Sequence, residues 1–390
     1  MQPGLFAPFR RVGQTSVNGS ERIPLHDQAS YPPQFAGAFY KRLSRIACSS
    51  LMLLALAAPL PAVDMLYVTM SNNTIVAYDT TSGVGSTIAA SVATFVSTNL
   101  DLPQGLAFDT SGNLYAANIN NNTISKFNAS GNFLSQITSN LNGPYGLAFD
   151  SSGNLYASNF NNNTISKFNS SGTFLSQINS NLNIPAGLAF DTAGNLYAAN
   201  AINNTISKFN SAGTFLSQIN SNLSNPYGLA FDTSGNLYAS NASDNSISKF
   251  NSSGTFLSQI NSNLNIPVGL AFDSSGNLYA ANDTSSTIST ISKFNSSGAY
   301  VSNITTNLNG PYGLAFDSSG NLYAANYNNS TISKFNSSGT FLTSWSTDFL
   351  PTYIAFKPVT VPEPSTYALA TIATGVMAYL ARRRRKARTA

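Results

Sequence analysis

The pentapeptide Gly-Leu-Ala-Phe-Asp begins at Gly105, Gly146, Gly187, Gly228, Gly269 and Gly313, in steps of 41 residues with a last step of 44. A degraded copy, Ile354-Ala355-Phe356-Lys357, follows about one period later. A fixed period near 40 residues restricts the chain to architectures made from one repeated supersecondary unit. Each unit reads as four short strand patterns: GLAF, NLYAAN, TISKFN and TFLSQI. The first two are separated by Asp-x-x-Gly-Asn, as at Asp150 to Asn154, and the last two by Asn-x-x-Gly, as at Asn169 to Gly172. Both are turn chemistry, with an Asx side chain to close the turn and Gly for positive φ. A proline precedes each unit, from Pro103 to Pro311. Four strands per 40 residues predicts an all-β protein, a β-propeller of four-stranded blades.

The flanks of the array set the blade count. Leu66 to Asp79 (LYVTMSNNTIVAYD) matches the second and third strands of a unit, and a fourth is expected within Ile88 to Ser97. The missing first strand reappears at the other end of the array, as Tyr353 to Phe356. Six whole blades plus this composite give seven, with the ring closed by the two ends of the array; six blades with frayed flanks is the alternative. Closure leaves a finite disc with no unpaired blade.

Only 9% of the 390 residues are charged, far below the usual quarter, yet the formal net charge is +4. Residues 1–63 carry +4, residues 358–390 carry +5, and residues 64–357 carry −5 from seven Lys and twelve Asp. The basic balance therefore belongs to the ends, and a nucleic-acid partner is not expected of the middle. One cysteine, Cys48, excludes an internal disulfide and a multi-cysteine metal site.

The ends read as addresses. Lys41, Arg42 and Arg45 precede an apolar run, Ile46 to Leu60, that contains Ala55-Leu56-Ala57. This is the pattern of a secretory signal peptide cut by signal peptidase, with Ala57 the expected site and Ala62 the second choice. Cys48 stands at the front of that run, which argues against a lipoprotein anchor. At the other end Pro362-Glu363-Pro364 is followed by the apolar stretch Tyr367 to Ala381 and then Arg382, Arg383, Arg384 and Arg385. Fifteen helical residues rise about 22 Å, a short transmembrane helix with its basic end in the cytoplasm. Motif, helix and basic cluster in that order resemble the PEP-CTERM sorting signal. The resemblance implies an exosortase-type enzyme as partner, export across the inner membrane of a Gram-negative cell, transient membrane attachment, and a surface or extracellular destination associated with exopolysaccharide. The expected organisation is an N-terminal extension with signal peptide (1–63), a propeller (64–357) and a sorting tail (358–390).

The wording of the units, G-L-A-F-D-x-x-G-N-L-Y-A-x-N…T-I-S-K-F-N, resembles NHL repeats over nearly all of 64–357. Where typical NHL blades end the second strand in Asp, this chain has Asn118, Asn159, Asn200, Asn241, Asn282 and Asn326. The first-turn Asp persists at Asp109, Asp150, Asp191, Asp232, Asp273 and Asp317. Its expected role is an Asx turn; a ring of calcium ligands is the sharper reading, but one carboxylate per blade is too few for calcium. Neither metal nor cofactor is expected. The resemblance extends to lactonases and streptogramin-type lyases, which implies Glu, Asp, Asn and His converging on the axis. Here Glu21, Glu363 and His26 all lie in the end segments, so the propeller has no Glu, His, Cys or Arg. Acid–base catalysis normally draws on those types, and a non-enzyme is expected. The repeated lysines (Lys126, Lys167, Lys208, Lys249, Lys293 and Lys334) read as blade packing, with stem buried and ammonium solvated.

Variation within the repeat points to a face. Loops joining the second to the third strand, and the fourth to the next first strand, lie on one side of a propeller, and these are where the units differ. The candidate ligand face comprises Tyr145, Phe160, Tyr227, Asp283, Tyr312 and Tyr327, with the long unit's extra residues between Asp283 and Thr290. Aromatic and amide groups together suit sugars or peptides. The expected function is a surface or matrix binding or scaffold module for a glycan, such as exopolysaccharide, or a surface protein. A metal-dependent lactonase- or lyase-like enzyme and a passive matrix protein are the alternatives. Trp345, in a fourth strand, is expected in the core.

Overall fold

The turns and strands do form as the repeat dictates. In the computed structural model, residues 64–80, 94–96, 98–283, 289–347 and 349–357 are described. The signal peptide, the extra residues 284–288 and the sorting tail lie outside the described residues. Three strands come first: β1 (Met65–Met70), β2 (Thr74–Asp79) and β3 (Thr94–Val96). Blade 1 follows as β4 (Pro103–Phe108), β5 (Leu114–Asn118), β6 (Thr123–Phe127) and β7 (Phe133–Ile137). The same four strands recur in blades 2 to 6, starting at Pro144, Pro185, Pro226, Pro267 and Pro311 and ending with β27 (Phe341–Ser346); β28 (Pro351–Phe356) is last. The result is seven four-stranded antiparallel sheets, one of them ordered β28-β1-β2-β3. The protein is a seven-bladed propeller with a composite closing blade, and the six-blade alternative falls. The one described helix is a single 3-10 turn, Tyr327–Asn329.

The turns work as their residues require. Asp150 Oδ1 accepts from the backbone N–H of Ser152 (3.0 Å) and Asn154 (2.8 Å), and Gly153 sits at φ +78°. Few residues other than Gly tolerate that φ cheaply, so the turn ends where the sequence places Gly.

Between blades lies the core. Each interface joins Tyr and Ile of one blade to Leu, Ala and Phe of the next; Tyr115, Ile124 and Ile137 meet Leu155, Ala157 and Phe168 in one such cluster. A T-shaped pair spans every interface, for example Tyr115–Phe149 with centroids 5.0 Å apart. Such pairs contribute about 0.5–1.5 kcal/mol beyond area burial. The same pair closes the ring on both sides of the composite blade, as Tyr323–Phe356 (5.1 Å) and Tyr67–Phe108 (5.0 Å). There β28 pairs β1 in register Leu66↔Phe356, Tyr67↔Ala355 and Val68↔Ile354, and Thr69 Oγ1 meets Thr352 Oγ1 at 2.8 Å. Trp345 packs at this seam, 5.3 Å from Tyr78 and 6.3 Å from Tyr323, half-buried against the core as expected.

Candidate functional site

The topology puts the two conserved turns of every blade on one face, the turn face, and the variable loops on the other, the loop face. Six clamps of one pattern, a Lys between an Asp and a Tyr of its blade, hold the turn face. In blade 2, Lys167 Nζ donates to the backbone oxygen of Ser211 in blade 3 (2.9 Å), pairs with Asp150 (3.5 Å) and lies 4.9 Å from the Tyr156 ring centre. Tyr156 Oη donates to the same Ser211 oxygen at 3.1 Å. The sequence suggested a solvated ammonium; instead it is locked in an ion pair and cation–π contact within its own blade and bonded across to the next blade through Ser211 O. Burial pushes the Asp150 carboxyl up, but hydrogen bonds from Asn154 and the charge of Lys167 outweigh it and hold the group below its ordinary range; Asp109, Asp191 and Asp232 behave alike. These aspartates are committed to their own turns and lysines. Among the described residues no three His, Cys, Asp or Glu side chains gather as a metal-binding group.

At the loop-face end of each regular blade a neutral network takes over. Asn159 is fully buried; its Nδ2 donates to Thr164 Oγ1 and Ser166 Oγ, both at 2.9 Å, and its Oδ1 accepts from Asn142 N at 3.1 Å. Gln177 Nε2 donates to the same two hydroxyls at 3.2 Å. Aspartate could not supply the amide's two donors, which explains the departure from Asp in this chain. The closing blade drops the network: Met70 stands where the other blades have Asn and Val76 where they have the second hydroxyl, with Met70 opposite Thr74 and Val76 opposite Val68.

Around the axis the first strands approach so closely that glycine is required: a Cβ on Gly146 would strike the carbonyl oxygen of Ala186. The residue before that glycine alternates around the ring as Gln104, Tyr145, Ala186, Tyr227, Val268, Tyr312 and Thr352. Large and small residues alternate because seven rings would not fit the taper. In the closing blade the glycine itself becomes Tyr353. Tyr312 Oη donates to Tyr227 Oη at 2.8 Å, so Tyr145 Oη, 3.0 Å away, must donate to Tyr312. Tyr353 packs edge-on against Tyr145 (5.9 Å) and Tyr312 (5.7 Å). Burial pushes the phenols of Tyr145, Tyr312 and Tyr353 above the ordinary tyrosine range. Tyr353 keeps some accessible surface. The four tyrosines, with the strand glycines and leucines, line an axial cavity of about 220 Å³.

The six predicted face residues fall into two groups. Tyr145, Tyr227 and Tyr312 form the axial cluster, with Phe160 stacked 5.6 Å from Tyr145. Tyr145 is only 8% exposed and supports the others rather than offering a contact. Asp283 and Tyr327 join Tyr312 around a second cavity of about 280 Å³, completed by Gln104, Thr352 and Ser71. Tyr353 was missed by sequence reasoning; its only signal was a tyrosine where six blades have glycine.

Known proteins fit this geometry. A family model for the virginiamycin B lyase family matches residues 133–348, more than half of the chain. The chain belongs to the virginiamycin B lyase family. Its C-terminal residues 360–386 match the PEP-CTERM protein-sorting motif, which implies export, an envelope or surface location and processing by exosortase-type machinery. Among solved structures, a streptogramin B lyase superposes with TM-score 0.61 at 16% identity, covering 75% of this chain and 95% of that one. A catalytically inactive virginiamycin B lyase from Staphylococcus aureus with quinupristin gives 0.59 at 16%, covering 67% and 94%. A functionally unknown protein from Desulfotomaculum acetoxidans gives 0.63 at 15%, covering 76% and 99%. At such identities the family's solved members share the fold with this chain. No curated protein sequence matches it.

Proposed function

We propose that this protein is a non-catalytic binding module of the cell surface or extracellular matrix, with the loop face as its binding surface and a glycan or surface protein as its ligand. The observation that carries the reading is the separation of chemistry between the faces. Every turn-face aspartate of the repeat is held by a lysine, while Tyr227, Tyr312, Tyr327 and Asp283 gather around open cavities. Aromatic rings with adjacent amides and hydroxyls suit stacking and hydrogen bonding to sugars. The tail places the module: Tyr367 to Ala381 holds it in the inner membrane with Arg382 to Arg385 in the cytoplasm until an exosortase acts at Pro362-Glu363-Pro364. A Gram-negative, exopolysaccharide-producing cell is the setting this implies.

The test is a glycan array with the purified mature protein, alongside the Tyr227→Ala and Tyr327→Ala variants. Binding that both variants lose is expected. Family membership favours one second reading, a lyase- or lactonase-like enzyme that uses Asp and Asn with a metal. Turnover of a streptogramin or lactone that a chelator abolishes would establish that reading in place of the first.

A further inference from the structure

The charges of the propeller are segregated. All seven lysines stand at the turn-face ends of their strands: six are the penultimate residues of third strands, and Lys357 follows β28. The loop face carries acids alone, Asp101, Asp244 and Asp283, among the described residues. Asp101 accepts a hydrogen bond from Asn120, and Asp244 accepts one from Ser246. Asp283 differs from both. Its backbone N–H is fixed to Ile266 O at 3.1 Å, so its place in the loop is set, yet no described residue donates to its half-buried carboxylate or pairs with it. Burial raises its pKa, and no hydrogen bond or cation of a described residue brings it back down. A partly desolvated anion without a partner among the described residues is costly to keep, and such groups call for an explanation in the ligand the site takes.

The surroundings say which ligand. The cavity of about 280 Å³ at Asp283 is lined by the tyrosines Tyr312 and Tyr327, the polar residues Gln104, Thr352 and Ser71, and the apolar pair Leu102 and Pro103. Tyr327 is 37% exposed and offers a ring face and a phenol to an incoming group. An anion beside aromatic rings, with no lysine or arginine on its face, fits an ammonium group. Amide and hydroxyl groups around it fit the hydroxyls of a sugar carrying that ammonium.

We propose that the Asp283 cavity binds a sugar with a free, protonated amino group, the ammonium paired to Asp283 and the ring against Tyr327. This rests on the glycan-binding reading above and names its ligand class. It also requires that acetylation of the amine abolish recognition, because the acetamide carries no charge and adds bulk in a cavity of this size.

The probe is a glucosamine tetrasaccharide, titrated calorimetrically into the mature protein beside its fully N-acetylated counterpart and a neutral glucose tetrasaccharide. The free-amine sugar is expected to bind at least about tenfold more tightly than either, the range of a hydrogen bond to a charged group. Asp283→Asn should remove that preference while leaving the thermal midpoint unchanged or raised, since no described residue donates to the carboxylate or pairs with it. Raising the salt should weaken the free-amine sugar alone. Equal binding of all three sugars, unaffected by Asp283→Asn, overturns this proposal and leaves the glycan-binding reading intact. Binding of a lysine-containing peptide through Asp283, with no sugar bound, overturns it in favour of a protein ligand. Failure of every sugar and peptide to bind overturns both.

Discussion

The two faces of the disc are held together by different chemistry. The turn face is tied by ions, a Lys–Asp–Tyr clamp within each of six blades, from which Lys126, Lys167, Lys208 and Lys334 reach a backbone oxygen of the next blade. The loop face is tied by neutral amides and hydroxyls, with Asn159 and its equivalents at the centre. A charged clamp near the loops would place cations beside the proposed binding surface and neutralise Asp283. The division leaves the loop face with acids and no lysine among the described residues.

The largest expected effect strikes the neutral side. Asn159→Asp removes two donors from buried hydroxyls and introduces an unpaired charge, so a loss of about 2–4 kcal/mol is expected in urea denaturation. A change below about 1 kcal/mol would show that the amide network is ornamental. On the ionic side, Lys167→Met keeps the packed stem but leaves Asp150 without its cation. About 1 kcal/mol is expected there, because the pair is one of six and lies near the surface. If Lys167→Met costs more than Asn159→Asp, the ranking of the two faces is reversed.

Acid sharpens the same contrast. The folded pKa values of Asp109, Asp150, Asp191 and Asp232 lie below their unfolded value of about 3.9. Their stabilisation is present in full above that value and is lost as the pH falls through the folded values. The melting temperature is therefore expected to fall steeply only below about pH 4, and the gap between wild type and Asp150→Asn should close there. A gap that stays constant down to pH 2 would mean that ionisation of the carboxyl contributes nothing to stability. Smallest of all is Tyr327→Ala on the loop face, expected within about 0.5 kcal/mol of wild type, because the ring is exposed. Its effect should appear in ligand titrations instead.

The period of the repeat made nearly all of the fold legible in the sequence. GLAFD every 41 residues, turn residues at fixed offsets and a missing strand at one end with a spare at the other defined seven blades and the seam. The loop-face residues were legible because they break the repeat. What could not be read was partnership across blades. Lys167 meets Asp150 across the strands of its own blade and Ser211 through the rotation to the next, neither of which a local pattern encodes, so its ammonium was misplaced in solvent. Asn159 was recognisable as a departure from Asp, but the two hydroxyls that demand an amide became evident only once the strands were paired. Tyr353 was hidden for the opposite reason: a single exception in a degraded copy looks like decay, and only the axis shows that it fills a position.

The closing blade has a consequence for the order of events in export. Strands β1 and β28 are separated by nearly the whole propeller sequence, so no ring can form until Phe356 has emerged. Pro362 stands only six residues further on. A chain truncated anywhere before that point lacks both the clasp and the sorting motif. Completion of the disc and possession of the address therefore coincide, and what reaches the sorting step is a chain already able to shut. The sole tryptophan, Trp345, sits at that seam, so its fluorescence times the closure in a refolding experiment without any added label.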